Sequence, residues 1–113
     1  MGAEAALVRL QLFSGTHAIS TALFASLRPG DEMLCVSGHP YDTLEEVVGL
    51  RVGSQTGTTV GSLKDWGISY NELELLYGEE AKKVNGDDVA FDINAIDAFL
   101  ENNKKVKLIH IQR

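Results

Sequence analysis

Between Ser14 and His17 the chain reads Ser-Gly-Thr-His, residue types that could hold an anion. Glycine lets a backbone turn sharply and come close to a bound group. Where a helix begins, its first N–H groups have no partner inside the helix, and its dipole favours negative charge. A phosphate would meet the amides of Gly15, Thr16 and His17, with the Ser14 and Thr16 hydroxyls assisting. The plainer reading is a turn in which Ser14 or Thr16 only caps the helix. Neither GxxxxGK followed by Ser or Thr, nor GxGxxG, occurs, so a Walker-type or dinucleotide site has no support.

The other reactive residue types are scattered. Tyr41 precedes a predicted helix and is free to face a ligand there. His17 and His39 fall near the same rim, whereas His110 sits inside a strand, and the three make no metal-binding motif. Cys35 lies in an apolar run, where a buried thiol acts as a small hydrophobe. Ser14 with His17 lacks an orienting acid and the GxSxG elbow, so a hydrolase reading is weak. Trp66 and Tyr70 read as packing residues, and Glu79-Glu80 and Asp87-Asp88 as solvated loop charges.

These residues must be placed by the elements around them. Alternation over Leu7–Phe13 predicts a strand, with Val8, Leu10 and Leu12 on one face. Ile19, Leu23 and Leu27 predict a helix over Thr16–Leu27, and Arg28-Pro29-Gly30-Asp31 a turn. Met33–Val36 reads as a strand buried on both faces. Asp42 and Glu45 resemble a capping box for a helix over Thr43–Leu50, burying Leu44, Val47 and Val48. Residues Arg51–Ser62 read as a mobile loop, Ile68–Leu76 as holding a strand that loses phase near Glu72, and Gly78–Asp88 as turn-like. Asp92 caps a helix to about Glu101, with a buried stripe of Ile93, Ile96, Phe99 and Leu100; Val106–Ile111 is a closing buried strand.

Strands alternating with helices predict an α/β fold, a three-layer, mostly parallel sheet with flanking helices. Ligands in such sheets bind at the carboxyl ends of the strands. That rim comprises Ser14–His17, Ser37–Tyr41 and Gln112–Arg113.

The 113 residues suffice for one domain, and 44% hydrophobic with 23% charged residues is a globular composition. A net charge of −6 argues against a nucleic-acid partner. No apolar run is long enough for a membrane span. The single cysteine and the lack of a leader-like start lead us to expect the cytoplasm.

Four segments in order, SGTHAIS, RPGDEMLCVSGHPYDTLEEVVG, GSLKDWGISYNELEL and KVKLIHIQR, give the chain a specific resemblance. It closely resembles the aluminium-resistance or methionine-gamma-lyase-like family of fold type I pyridoxal-phosphate enzymes, related to the cystathionine lyases. The match spans nearly the whole chain, apart from a lengthened loop at Val52–Val60. The resemblance implies a carbon–sulfur lyase acting on a sulfur-containing amino acid, with pyridoxal phosphate as cofactor. It implies that the Ser14-Gly15-Thr16 turn binds the cofactor phosphate through backbone amides and that Tyr41 stacks on the ring; His17 completes the candidate cofactor site.

The resemblance also implies that the Schiff-base lysine and the acid facing the pyridinium nitrogen lie downstream of Val106–Ile111. Residues 1–113 are therefore expected to be a single truncated piece of the large cofactor-binding domain, with no catalytic residue and no activity alone. Lys64, Lys82, Lys83, Lys104, Lys105 and Lys107 have no evident pocket to replace the missing lysine. A cut sheet leaves open edges, so self-association is expected, and family members are homo-oligomers. The alternative is a non-catalytic α/β module binding a small phosphorylated ligand at Gly15–His17.

Overall fold

The computed structural model describes residues 2, 4–6, 8–52 and 57–112. Its centre is the strand β1 (Glu32–Cys35), flanked by β2 (Ser69–Glu72) and β5 (Val106–His110) in the order β2-β1-β5, all parallel. Met33, Leu34, Cys35 and Val36 are buried, as expected for a middle strand covered on both faces.

Met33 pairs with Tyr70 on one side and Leu108 on the other, so these three form a row across one face. Two helices, α1 (Gly15–Ser26) and α2 (Asp42–Val48), cover that face. Leu23 and Leu27 from the α1 region, Leu44 and Val48 from α2, and Leu63 and Ile68 complete the core around Met33. Helix α2 stops at Gly49, whose φ of +94° suits glycine; an added Cβ there would lie 2.8 Å from that of Lys64. The chain returns across α2, with Leu63 N–H donating to the Val47 carbonyl at 2.9 Å.

The fold is mixed α/β, with several departures from the sequence reading. Residues 8–13 form no strand. Leu12 N–H closes a turn onto the Arg9 carbonyl at 3.1 Å, and Val8, Leu10 and Phe13 are more than four-fifths exposed. Alternation supplies a face but not a ladder, and both edges of β1 are already taken by β2 and β5. Leu7 lies outside the described residues.

Gly78–Asp88 is not a plain turn. It holds the helix α3 (Glu79–Asn85) between two short antiparallel strands, β3 (Leu76–Tyr77) and β4 (Val89–Ala90). Only Ala81 of α3 is buried, which explains why no apolar period announces the helix.

Asp92 does cap α4 (Ile93–Asn102), accepting the Ala95 N–H at 3.0 Å. The stripe expected to be buried is only half-covered at Ile96, Phe99 and Leu100, and Ile93 is 54% exposed. Strand β5 is likewise half-buried, because it is an edge strand with β1 as its only partner among the described residues. In the loop read as mobile, residues 53–56 lie outside the described residues.

Candidate functional site

Helix α1 begins as the residue types require. Ser14 is extended, and its Oγ accepts the His17 N–H at 3.1 Å, while its carbonyl accepts from Ala18 at 3.0 Å. The cap reading of Ser14 is thus realised. It leaves the Gly15 and Thr16 amides without an acceptor among the described residues. Gly15 has an ordinary backbone, and an added Cβ would meet nothing within 4 Å, so there is room beside the residue for a side chain. His17 turns towards the preceding loop: its ring stacks on Phe13 at 5.5 Å, and its Nδ1 accepts the Phe13 N–H at 3.3 Å.

Helix α2 starts beside it. Tyr41 is its N-cap residue and makes no side-chain cap. The capping box is not formed. Asp42 is already helical and its Oδ1 accepts the Thr43 N–H at 2.8 Å, while Glu45 cannot reach back because it is engaged by His39 and Arg51.

The Tyr41 hydroxyl lies 3.2 Å from Thr16 Oγ1, which lies 3.2 Å from Thr43 Oγ1. Hydrogen bonding by Thr16, then Thr43, lowers the Tyr41 pKa from its usual value. Tyr41 N–H donates to Gln112 Oε1 at 3.4 Å, and Gln112 N–H donates to Ser37 Oγ at 2.9 Å. The structure therefore gathers Thr16, Tyr41, Ser37 and Gln112 on one rim, although no strand leads into Ser14. Beyond Ser37 and Gln112 a concavity of about 530 Å³ opens, lined also by Leu75, Val89, Phe91 and Ile111. Arg113 lies outside the described residues.

The sequence reading missed how His39 is held. Its Nε2 lies 2.6 Å from Glu45 Oε1 and its Nδ1 lies 3.0 Å from Glu72 Oε2. Glu72 also accepts the Tyr70 hydroxyl at 2.7 Å, and Glu45 faces Arg51 at 3.5 Å. The Glu45 hydrogen bond above all raises the His39 pKa above 6.5; desolvation opposes it, and the hydrogen bond and charge of Glu72 add to the rise. Burial, with Glu72 adding to it, pushes the Tyr70 hydroxyl pKa up. Nothing in the spacing of His39 and Glu72 signals the contact; it follows from β2 pairing with β1, which sets Glu72 opposite Cys35.

Cys35 is buried, with its Sγ 3.7 Å from His110 Nδ1 and 3.6 Å from Ser37 Oγ. Burial lowers the His110 pKa. Lys64, Lys82, Lys83, Lys104, Lys105 and Lys107 are all exposed. Among the described residues there is no cluster suited to a metal ion, and no helix is long and apolar enough to cross a membrane.

The family model for methionine gamma-lyase matches residues 1–113. The chain belongs to the methionine gamma-lyase family. It is 51% identical over 112 residues to the uncharacterized protein YnbB of Bacillus subtilis (strain 168), covering 99% of this chain and 23% of that one. Among solved structures it resembles a carbon-sulfur lyase involved in aluminium resistance from Clostridium novyi NT. There the identity is 39% and the TM-score 0.73, with 95% of this chain and 22% of that chain covered. It also resembles a candidate cystathionine beta-lyase involved in aluminium resistance from Listeria monocytogenes. That likeness has 52% identity and a TM-score of 0.72, covering 97% of this chain and 24% of that one. This family member thus spans about a quarter of the length of the relatives it matches, and its sheet and helices correspond to part of the lyase fold.

Proposed function

We propose that this chain forms the phosphate-binding and ring-facing part of a pyridoxal-phosphate carbon–sulfur lyase acting on a sulfur-containing amino acid. Ser14, Gly15, Thr16 and His17 surround the phosphate position, and Tyr41 stands against the ring. Bound there, pyridoxal phosphate would supply an electron-accepting ring that stabilises negative charge at the substrate's α-carbon.

The observation that carries this reading is the open start of α1. No acidic residue occupies its first turn, and the Gly15 and Thr16 amides have no acceptor among the described residues. The other helices bring their own negative charge: Asp42 and Glu45 on α2, Glu79 and Glu80 on α3, and Asp92 at the α4 cap. Tyr41 is tied to that start through Thr16, which keeps its ring next to a group anchored there. A reacting lysine amine needs desolvation or a neighbouring cation to lose its proton near neutrality. Every lysine here is exposed, so the chain alone is expected to bind without catalysing.

Pyridoxine 5′-phosphate tests the site, because it has no aldehyde and cannot react with surface lysines. In a nitrogen- and carbon-resolved NMR titration it should shift the Gly15 and Thr16 amides and the Tyr41 ring, while pyridoxine leaves them in place. Gly15→Leu, which fills the open space without backbone strain, should abolish the shifts. Equal shifts with pyridoxine, or shifts only elsewhere, refute the reading. Amide shifts without a Tyr41 response favour the plainer module that binds small phosphorylated ligands.

Self-association is proposed from the same partial sheet. Among the described strands β2 and β5 are edges, and Ile109 and Ile111 are 47% and 60% exposed. Light scattering should show a mass that grows with concentration; a constant monomer mass ends the proposal.

A further inference from the structure

We propose that His39 is a positioning residue: doubly protonated between Glu45 and Glu72, it clamps the Ser37–Tyr41 segment to α2 and β2 and so sets where the Tyr41 ring stands. The clamp lets go when the imidazole loses its second proton. For its effect on ligand this rests on the reading of Tyr41 as the ring-facing residue; for its effect on Tyr41 itself it does not.

The geometry is specific about protonation. Both ring nitrogens face carboxylate oxygens, at 2.6 Å and 3.0 Å. An ionised carboxylate only accepts hydrogen bonds, and a neutral imidazole has one N–H, so one of the two contacts needs the second proton. Neutral, the ring would set a lone pair against Glu45 or Glu72. The clamp spans three elements: His39 follows β1, Glu45 lies on α2 and Glu72 ends β2.

The segment it holds has little slack. Gly38 is buried with a φ of +84°, and an added Cβ there would stand 2.9 Å from Glu74 Oε2; Pro40 is buried on the other side. Two residues past His39, Tyr41 meets Thr16 through its hydroxyl and Gln112 through its N–H. Movement of His39 is therefore passed along a short, confined stretch to Tyr41.

The charged and titratable groups around the clamp fix the direction. From α2 and the residues after it come Glu45, Glu46 and Arg51, with Arg51 on both glutamates; from β2 and beyond come Tyr70, Glu72 and Glu74; Asp42 adjoins Tyr41. The His39 pKa is raised by Glu45 and then Glu72. A raised histidine pKa means the clamp is complete below 6.5 and is lost as pH rises through the higher folded value. The Tyr41 hydroxyl has its own titration, eased by Thr16 and Thr43, and Glu72 is not among its causes.

The test is carbon-resolved NMR of the His39 and Tyr41 rings in the 113-residue chain without ligand, across neutral pH. Tyr41 signals should move with the His39 midpoint, and Glu72→Gln should lower both midpoints together. Glu45→Gln makes the same comparison at the other nitrogen if Glu72→Gln does not fold. Tyr41 signals that stay flat through the His39 titration overturn the proposal, as does a His39 midpoint that falls in Glu72→Gln without that of Tyr41. A second arm measures pyridoxine 5′-phosphate binding in wild type and His39→Gln. Their affinity ratio, in which the probe's own ionisations cancel, should be severalfold at low pH and approach unity above the midpoint. If nothing binds yet Tyr41 follows His39, the ligand reading fails and the clamp stands. If binding is intact and the ratio is flat with pH, the clamp's role in positioning fails.

Discussion

Helices α1 and α4 are nearly the same length and start the same way, yet they use their ends and sides in opposite senses. Each is capped by a side-chain oxygen that accepts the N–H three residues on, Ser14 from His17 and Asp92 from Ala95. The α4 cap is a carboxylate, so that helix carries its own counter-charge. The α1 cap is a neutral hydroxyl, and no acid follows in the first turn. On their sides the contrast reverses: Leu23 of α1 is buried in the core, whereas no residue of α4 is fully buried. Here the helix that is closed along its side carries no counter-charge at its start, the place proposed for the phosphate.

The largest expected effect tests the sides. Leu23→Ala removes a side chain that is 3% exposed within the cluster around Met33, and should cost about 2–5 kcal/mol in urea unfolding. Ile93→Ala, at 54% exposure on α4, should change stability by only about 0.5 kcal/mol. Equal losses would mean that the α4 stripe is covered in solution and that the contrast between the helices is unreal.

Part of this contrast is legible in the residue types themselves. Ser14, Asp92 and the apolar run at Met33–Val36 act locally, and their types alone place two helix starts and a buried strand, whereas Gly49 stops α2 inside the stretch Thr43–Leu50 expected to be helical throughout. Ser37–Tyr41 and Gln112 likewise share a rim by the logic of a parallel sheet, since they follow β1 and β5, whereas the start of α1 joins that rim with no strand before it, through the contact of Thr16 with Tyr41. Residues 8–13 mislead because alternation records a preference for facing something and cannot say whether a strand edge is available. Helix α3 is hidden by its polarity, although Glu79-Glu80 at its start, Lys82-Lys83 in its last turn and Gly86 at φ +84° form a consistent helix pattern. The His39 clamp is out of reach for another reason. Glu72 approaches only through strand pairing, a relation between residues 33 apart in sequence.

The smaller effects test the ends, and they should carry opposite signs. Asp92→Ala takes away the acceptor for Ala95 N–H and the charge together, and should cost about 1 kcal/mol. Ser14→Asp keeps an acceptor within reach of His17 N–H and adds the charge that α1 lacks. Asp and Ser cap equally well, so the remaining change is a favourable dipole interaction of about 0.3–1 kcal/mol at low ionic strength, fading as salt is added. The same carboxylate would occupy the neighbourhood proposed for the phosphate, so the variant should be more stable and bind pyridoxine 5′-phosphate about tenfold or more weakly, an energy near 1.4 kcal/mol. Thermal unfolding at two salt concentrations and the NMR titration read both quantities on one sample. A variant that gains no stability would show that the α1 terminus is already compensated, and one that still binds would show that the phosphate sits elsewhere.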